Sequence, residues 1–232
     1  MKKSLGEASV VVSDPTDAPD LPDLEDATAQ QVLAWAVQQY FPNLTIATSL
    51  EDTVLVDMGY RIEPDVEFFF LETGFHFDET LRVADRVRQR YDGLNLVMLE
   101  PVDNPAVWSA DGYEACCNSR KVLPMNNHLR TKQAWVTGVK RVDAPTRAGT
   151  KHVEWDAVRG LVKLNPLARW SDDDVAAYER DNDLITHPLK AQGYGSIGCS
   201  PCTVPGAGRE GRWAGSGKVE CGLHVSSPQE QS

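Results

Sequence analysis

Five cysteines are the residues of this chain whose types and spacing are best suited to chemistry. They fall as an adjacent pair, Cys116 and Cys117, a second pair separated by two residues, Cys199 and Cys202, and a single Cys221. Thiolates in two pairs are typical ligands of zinc and of iron–sulfur clusters. The remaining thiol, near the end of the chain, is free to act as a nucleophile. The spacing therefore predicts a metal-binding group of four cysteines and one reactive thiol.

The adjacency of Cys116 and Cys117 favours a cluster over a single metal ion. Structural zinc usually uses two spaced pairs, because the spacing lets both sulfur atoms reach one ion without backbone strain. A multi-iron cluster offers several corners, so neighbouring thiolates can bind different irons. Two alternatives stay open on the spacing alone: buried thiols without a metal, and a redox-active pair formed by Cys199 and Cys202.

An acidic chain carries one basic stretch. The 232 residues have a net charge of -11, which argues against general binding to nucleic acid. Between residues 116 and 151, however, eight basic residues stand against one acid, Asp143. The eight are Arg120, Lys121, Arg130, Lys132, Lys140, Arg141, Arg147 and Lys151. This stretch predicts either a site for a small anion or a solvated face.

The hydrophobic pattern also bears on where the protein works. No apolar run is long enough to span a membrane, and the N-terminal sequence lacks the hydrophobic region of a signal peptide. We therefore expect a cytoplasmic protein with no membrane partner. In that reducing compartment, cysteines serve as ligands or catalysts rather than as structural disulfides.

Strands alternate with helices along most of the chain. The predicted strands cover 44–48, 66–71, 94–99, 134–139 and 161–164, and the predicted helices cover 28–40, 49–60, 78–91 and 171–181. This order is typical of a doubly wound α/β fold with a mainly parallel sheet, in which ligands bind at the carboxyl ends of the strands. Ser49, Thr73 and Gly138 follow such strand ends. From His187 onward the chain is rich in loops and glycine.

Six motifs surround the cysteines and follow one another along the chain. They are 116–124 (CCNSRKVLP), 163–167 (KLNPL), 187–189 (HPL), 193–203 (GYGSIGCSPCT), 209–213 (REGRW) and 220–224 (ECGLH). In this order they resemble the assimilatory adenylyl-sulfate (APS) reductase family, the iron–sulfur relatives of PAPS reductases. The resemblance extends from about residue 28 to 224, and several long motifs in order are far more specific than one paired-cysteine motif.

The resemblance implies a fold like that of the adenine nucleotide alpha-hydrolases and a role for each cysteine. Cys116, Cys117, Cys199 and Cys202 would bind a 4Fe–4S cluster, and Cys221 would be the nucleophile. PAPS reductases share the ECGLH ending but lack the two cysteine pairs, so the resemblance favours APS as substrate. A PAPS reductase that retains a cluster is the alternative. The residues expected to bind substrate are Ser49, Thr73, Gly74, Lys121, Gly138, Arg141, Arg147, Arg209, Arg212 and His224.

A reaction and a division of the chain are also expected from these residues and from the composition. Cys221 would attack the sulfate sulfur and form an S-sulfonate, and thioredoxin or a similar dithiol would then release sulfite. We expect Lys218, His224 and the arginines to lower the pKa of Cys221. Residues 1–27 would be a disordered acidic leader, 28–205 the catalytic domain with the cluster site, and 206–232 a mobile C-terminal segment. The sequence leaves a homo-oligomer open.

Three departures from related patterns limit these expectations. Family members commonly have Asp where this chain has Glu72, which keeps the acid. They often have Gln-Ser where this chain has Asp143-Ala144, so the substrate contacts of the 138–147 loop are not fixed by the resemblance. The turn at Ser49 lacks the glycines of ATP-using relatives, which argues against an ATP-dependent enzyme acting on RNA. A zinc-stabilised interaction module is the rival from another class.

Overall fold

The computed structural model describes residues 18–102, 112–216 and 218–224, and a six-stranded sheet lies at its centre. The strands are β1 (Leu44–Ala47), β2 (Glu67–Leu71), β3 (Leu96–Leu99), β4 (Ala134–Val136), β5 (Val153–Asp156) and β6 (Leu161–Leu164). They lie in the order β3-β2-β1-β4-β6-β5. The first five in this order are parallel, and β5 at the edge pairs with β6 in the antiparallel direction. The predicted class, a doubly wound and mainly parallel sheet, is confirmed.

Helices cover the sheet on both faces. They are α1 (Ala29–Tyr40), α2 (Val54–Ile62), α3 (Asp78–Arg90), α4 (Gly112–Cys117), α5 (Leu123–Leu129) and α6 (Asp172–Asp181), and a π-helical stretch, Asn118–Val122, joins α4 to α5. Capping residues set two of the starts. Thr28 and Gln31 form a capping box at α1, and Ser171 and Asp174 form another at α6.

The strand order places a ligand crevice between β1 and β4. The chain runs from β1 outward to β2 and β3, and then returns to the other side of β1 as β4. In open α/β sheets a crevice forms where the order reverses, outside the carboxyl ends of the strands. The turns after Ala47 and Val136 therefore face one another across this crevice.

The run of phenylalanines in β2 shows how the sheet is buried. Phe68 and Phe70 pack into the larger core with α1, α2 and α3, and Phe69 packs on the opposite face with Met125 and Leu129. Successive side chains of a strand point to opposite faces, so a continuous apolar run fits a strand covered on both sides. The strand predicted over 66–71 is confirmed.

The structure adds elements that the pattern did not indicate. β5 was missed because four residues with two half-buried side chains, at a sheet edge, give little periodic signal. The helical region from Gly112 to Leu129, which carries two cysteines, was not predicted either. β4 ends at Val136, so the predicted strand to 139 was too long.

The described part of the predicted leader, residues 18–27, lies against the domain. Leu21, Leu24 and Ala27 pack on the larger core, and Glu25 accepts hydrogen bonds from Arg141 and from the backbone of His152. Residues 1–17 lie outside the described residues. Within the described ranges, no helix is both long and apolar enough to cross a membrane.

Candidate active site

A cavity of about 260 Å³ opens at the crevice between β1 and β4. Its walls come from the carboxyl ends of β1, β2 and β4 and from the C-terminal loops. We call it the large cavity. It brings together seven of the ten residues expected to bind substrate, with Cys221. The seven are Ser49, Lys121, Gly138, Arg147, Arg209, Arg212 and His224.

A second, narrow cavity lies beside it and is lined by the four paired cysteines. We call it the cysteine cavity. Cys116 and Cys117 reach it from α4, and Cys199 and Cys202 reach it from a short helical turn, Ser200–Cys202, that the Pro201 ring helps to start. Cys221 packs against three of these four cysteines and Trp213 in one buried cluster. None of the five cysteines forms a disulfide.

The cysteine cavity has the donor chemistry of a soft-metal site. Its thiols are accompanied by cations, and no carboxylate or imidazole of the described residues lines it. Burial raises the pKa of Cys116, and it raises the pKa of Cys117 to about 12. Such thiols are neutral unless a positive centre binds them. Among the described residues, no group of three or more His, Cys, Asp or Glu has the arrangement of a metal-ion site.

Lys121 and Arg212 line both cavities. Lys121 is half-buried, and although desolvation opposes its charge, the sulfur atoms of Cys199 and Cys221 outweigh that effect and raise its pKa. Arg212 reaches Ser196 Oγ at 3.4 Å, and its buried Nε has no hydrogen-bond partner within the described structure. These two cations therefore face the sulfur atoms and the large cavity at once.

Other cations of the large cavity are already paired with carboxylates. Lys140 Nζ lies 2.8 Å from Asp143 Oδ1, and Arg147 bonds both Asp143 and Glu220. Arg209 Nη2 lies 3.4 Å from Glu220 Oε2. The sequence assigned Glu220 no role beyond its place in the ECGLH motif. Only the fold brings it to Arg147, 73 residues away in the sequence.

His224 lies on the floor of the large cavity, stacked on Trp135. The two rings are 5.8 Å apart and nearly parallel, and the imidazole Nδ1 is buried without a hydrogen-bond partner in the described part of the chain. Desolvation, followed by the nearby cations Lys163 and Arg147, lowers the pKa of His224 well below its usual value. The ring is therefore neutral at neutral pH and brings no positive charge to the cavity. Trp135, at the middle of β4, was missed because it reads simply as a core residue.

Lys218 was also expected to act on Cys221, and the structure gives it another partner. Its ammonium group contacts the carboxylate of Glu114 in α4 and lies 5.8 Å from the centre of the Trp213 ring. Its charge is thereby offset by a carboxylate. The contact ties the segment that carries Cys221 to the helix that carries Cys116 and Cys117.

The turn after β1 is built without glycine. Leu50 takes a left-handed backbone conformation with φ of 59°, and its side chain is buried in the larger core. Asp52 Oδ1 accepts the hydrogen bond from Val54 N at the start of α2, so Ser49 is not the cap of this helix. Ser49 lines the large cavity instead. Glu51, half-buried, accepts a 3.0 Å hydrogen bond from Ile197 N.

Three expected substrate-binding residues do not line the large cavity. Thr73 Oγ1 lies 3.3 Å from Cys199 Sγ, and Gly74 has φ of 73° beside the guanidinium of Arg120, so both adjoin the cysteine cavity. Arg141 donates to Thr150 O at 2.7 Å and bonds the carboxylate of Glu25.

Comparison with known proteins gives this geometry a family. The model of the phosphoadenosine phosphosulfate reductase domain matches residues 42–205. The chain belongs to this family. It is 43% identical over 217 residues to an adenosine 5'-phosphosulfate reductase of Mycolicibacterium smegmatis, covering 88% of this chain and 91% of that protein. A Streptomyces coelicolor protein of the same name is 40% identical over 214 residues, with 87% and 90% covered. The resemblance seen in the sequence is thus confirmed.

Solved structures support the same assignment. A phosphoadenylyl-sulfate (PAPS) reductase from Candida auris, crystallised as a phosphate complex, matches with a TM-score of 0.68 and 27% identity over 78% of this chain and 94% of that chain. An FMN adenylyltransferase from Candida glabrata matches with a TM-score of 0.57 at 15% identity, over 81% and 69%. This second likeness shows the fold alone, and it agrees with the expected adenine nucleotide alpha-hydrolase-like sheet.

Proposed function

We propose that this protein reduces adenosine 5'-phosphosulfate (APS) to sulfite and AMP, as an oxidoreductase acting on sulfur in assimilatory sulfate reduction and cysteine biosynthesis. One observation carries the proposal: Cys221 lines the large cavity together with Lys121 and Arg212, at the nucleotide-binding edge of the sheet. A thiol beside two cations suits attack on an anionic sulfur centre. The relatives at about 40% identity bear the name of this activity.

The first step joins Cys221 to the sulfonyl group. The thiolate of Cys221 attacks the sulfate sulfur, an S–S bond forms, and the bond from that sulfur to the bridging phosphate oxygen breaks. AMP leaves with the electron pair of the broken bond, and the enzyme carries a cysteine S-sulfonate. Negative charge on both reactants opposes this step, so the cations Lys121 and Arg212 would lower its barrier.

The second step needs two electrons from a dithiol, which we assign to thioredoxin or a similar protein. One thiolate of the dithiol attacks the sulfur of Cys221, and sulfite leaves with the bonding pair. The second thiol resolves the mixed disulfide, which restores the Cys221 thiolate and leaves the dithiol protein oxidised. The sulfur taken from APS is thereby reduced by two electrons.

A 4Fe–4S cluster fits the four cysteines of the cysteine cavity. The donors are all thiols, the burial of Cys117 requires a positive centre to hold it deprotonated, and Lys121 and Arg212 adjoin the site. When bound, the cluster would supply a fixed charge distribution and a rigid frame beside the anion site. Lys121 and Arg212 themselves bind and orient the substrate anion.

The cluster has its own test. Anaerobically purified protein should be brown and should contain iron and acid-labile sulfide in equal amounts, and Cys116→Ser should lose both. Colourless protein with one zinc ion per chain would instead support the rival reading of a zinc-stabilised module.

The segment that carries Cys221 must meet both substrate and reductant. We infer that residues 206–232 move as a unit relative to the domain of residues 28–205, since the thiol is buried in the structure described here. Cysteines that form no disulfide suit a reducing compartment, so we place the protein in the cytoplasm.

The central test detects the covalent intermediate. Protein is mixed with APS in the absence of any dithiol and analysed by intact mass. We expect one S-sulfonate adduct, mapped to Cys221 by peptide analysis, and none in Cys221→Ser. An adduct that survives this substitution would place the nucleophile elsewhere.

The alternative substrate is PAPS, which differs by a 3'-phosphate. The structural similarity to the PAPS reductase of Candida auris is the reason to test this compound. Steady-state turnover of the cluster-containing protein with each compound separates the two. We expect a higher kcat/KM for APS, and a higher value for PAPS would overturn the choice of substrate.

A further inference from the structure

The 218–224 segment, which carries Cys221, is held by contacts on both sides of the thiol. On one side Lys218 contacts Glu114, and on the other the carbonyl oxygen of Leu223 accepts a 3.1 Å bond from Arg159 Nη2. Directly beside the thiol, the carboxylate of Glu220 contacts Arg147 of the domain. Contacts of this kind fix where a mobile segment comes to rest.

The Glu220 contact has the geometry of a paired fork. Arg147 Nε donates to Glu220 Oε1 at 2.8 Å, and Arg147 Nη2 donates to Glu220 Oε2 at 2.9 Å. Arg209 Nη2 approaches the same carboxylate at 3.4 Å, and Thr146 Oγ1 does so at 3.4 Å. Bidentate arginine–carboxylate pairs are stronger and more directional than single bonds.

This pairing occupies an arginine that the sequence assigned to substrate. The third donor group of Arg147, Nη1, bonds Asp143 Oδ2 at 2.9 Å, so two carboxylates offset one guanidinium charge. Burial opposes the charge on Glu220, but Arg147 and Arg209 outweigh it and hold the pKa of Glu220 below its ordinary value. The carboxylate is thus ionised at neutral pH and takes the place that an anionic ligand would take.

We propose that Glu220 is a positioning residue: its ion pair with Arg147 seats the Cys221 thiol in the large cavity. The proposal rests on the proposed function in one respect, that Cys221 is the nucleophile. Arg147 then belongs to the docking of the 218–224 segment rather than to the binding of substrate. The phosphosulfate is left to Lys121 and Arg212, which form no direct ion pair with a carboxylate among the described residues.

The adjacency in sequence makes this arrangement effective. Glu220 and Cys221 are neighbours, so fixing the carboxylate limits the positions that the sulfur can reach. The carboxylate is about one quarter exposed, which leaves the pair open to water on one side. A pair of this kind can open without burying an unpaired charge, as a thiol that must visit an external reductant requires.

The test measures access to Cys221 without any substrate. Cluster-containing protein is treated with limiting iodoacetamide, and the alkylation rate of Cys221 is followed by peptide mass spectrometry. Glu220→Gln should raise this rate about tenfold. Glu210→Gln, an exposed glutamate nearby that forms no ion pair among the described residues, is the matched control and should leave the rate unchanged.

A double substitution shows whether the effect passes through the ion pair. Arg147→Gln alone should raise the alkylation rate to a similar degree, and adding Glu220→Gln should raise it little further. If Glu220→Gln does not fold, Arg147→Lys supplies the same reading, since it keeps the cation but loses the fork. Unchanged alkylation in folded Glu220→Gln, or fully additive effects, would overturn the proposal.

Steady-state kinetics distinguish a Glu220 that positions Cys221 from a Glu220 that competes with the substrate. For a positioning residue, Glu220→Gln lowers kcat for APS about tenfold and leaves KM within about twofold. A lower KM with unchanged or higher kcat would mean that Glu220 competes with the substrate, and would overturn the proposal. Should no variant or wild-type protein turn over APS, the proposed function fails, while the alkylation series still decides the role of Glu220.

Discussion

The cations around the large cavity form two groups with opposite surroundings. Lys121 and Arg212 face the cysteines and form no direct ion pair with a carboxylate among the described residues, although Arg212 and Glu51 both bond Ser196 Oγ. Lys140, Arg147 and Arg209 lie a short way along the same wall, and each is paired with Asp143 or Glu220. A paired cation has most of its charge offset, whereas an unpaired buried cation keeps it available for a ligand. We propose that the first group binds the substrate anion and that the second group stabilises the cavity walls.

The sharpest way to break this comparison is to remove Lys121. We expect Lys121→Met to lower kcat/KM for APS by roughly 10²-fold or more, because a cation aimed at developing charge in a closed site contributes strongly to the rate. Stability against urea should not fall, since the half-buried ammonium forms no ion pair with a carboxylate of the described residues. Lys140→Met, from the paired group, is the control. An equal loss of activity in both variants would contradict the division of these cations into a substrate-binding group and a structural group.

Removing Arg147 should affect stability, in contrast with the removal of Lys121, which should affect activity. Arg147→Met leaves Asp143 and Glu220 partly buried without their shared partner, so we expect the free energy of unfolding to fall by roughly 1–3 kcal/mol. Urea denaturation of the cluster-containing protein measures the change, with Arg180→Met as an exposed control. A stability equal to that of the wild type would mean that the paired group does not hold the wall.

A smaller change tests the placement of Arg212. A Cβ on Gly198 would stand 2.4 Å from the guanidinium carbon of Arg212, so Gly198→Ala must displace the end of that side chain. We expect kcat/KM to fall about tenfold through this misplacement, with the fold retained. Gly149→Ala, where a Cβ meets nothing within 4 Å, is the matched control. Full activity in Gly198→Ala would argue against a substrate-binding role for Arg212.

The smallest effect concerns acid stability. Burial opposes the charge on Asp143, but Lys140 and Arg147 outweigh it and hold the pKa of Asp143 below its ordinary value of 3.8. Its stabilisation is therefore complete above that value and is lost as pH falls through the lower folded value. We expect Asp143→Asn to be less stable than the wild type by about 1 kcal/mol at pH 6, with the difference vanishing near pH 2. Urea curves across this range measure it, and a difference independent of pH would contradict the ion pairs.

Much of the fold could be predicted from local patterns. The apolar run of β2 and the helical spacing of apolar residues that begins at position 28 each act over a few residues, and both elements were predicted correctly. β5 could not be predicted, since its four residues depend on pairing with β6 rather than on their own pattern. The helical region that begins at Gly112 could not be predicted either, because its two short α-helices, joined by a π-helical stretch, are too short to show a helical period.

Site residues could be predicted where the side-chain chemistry and a local motif indicate the role. They could not be predicted where the role depends on an ion pair with a residue distant in the sequence. Cys221 and Lys121 follow from chemistry and motif, and the fold does bring them to one cavity. Glu220 and Arg147 are 73 residues apart, and nothing in either local sequence announces their pairing. Arg141 shows the converse, since its motif matches and yet its guanidinium is taken by Glu25.

The sequence by itself determined the chemistry that this protein can carry: four thiols in two pairs, a fifth thiol near the chain end and a basic stretch beside the first pair. These follow from residue types and short spacings, which survive in any conformation. The tertiary structure alone decided which cations stay available to a ligand. An arginine is always charged, but how much of its charge is offset depends on the carboxylates that folding places beside it. Lys121 and Arg212 keep their charge for a ligand, while Glu220 and Asp143 offset that of Arg147.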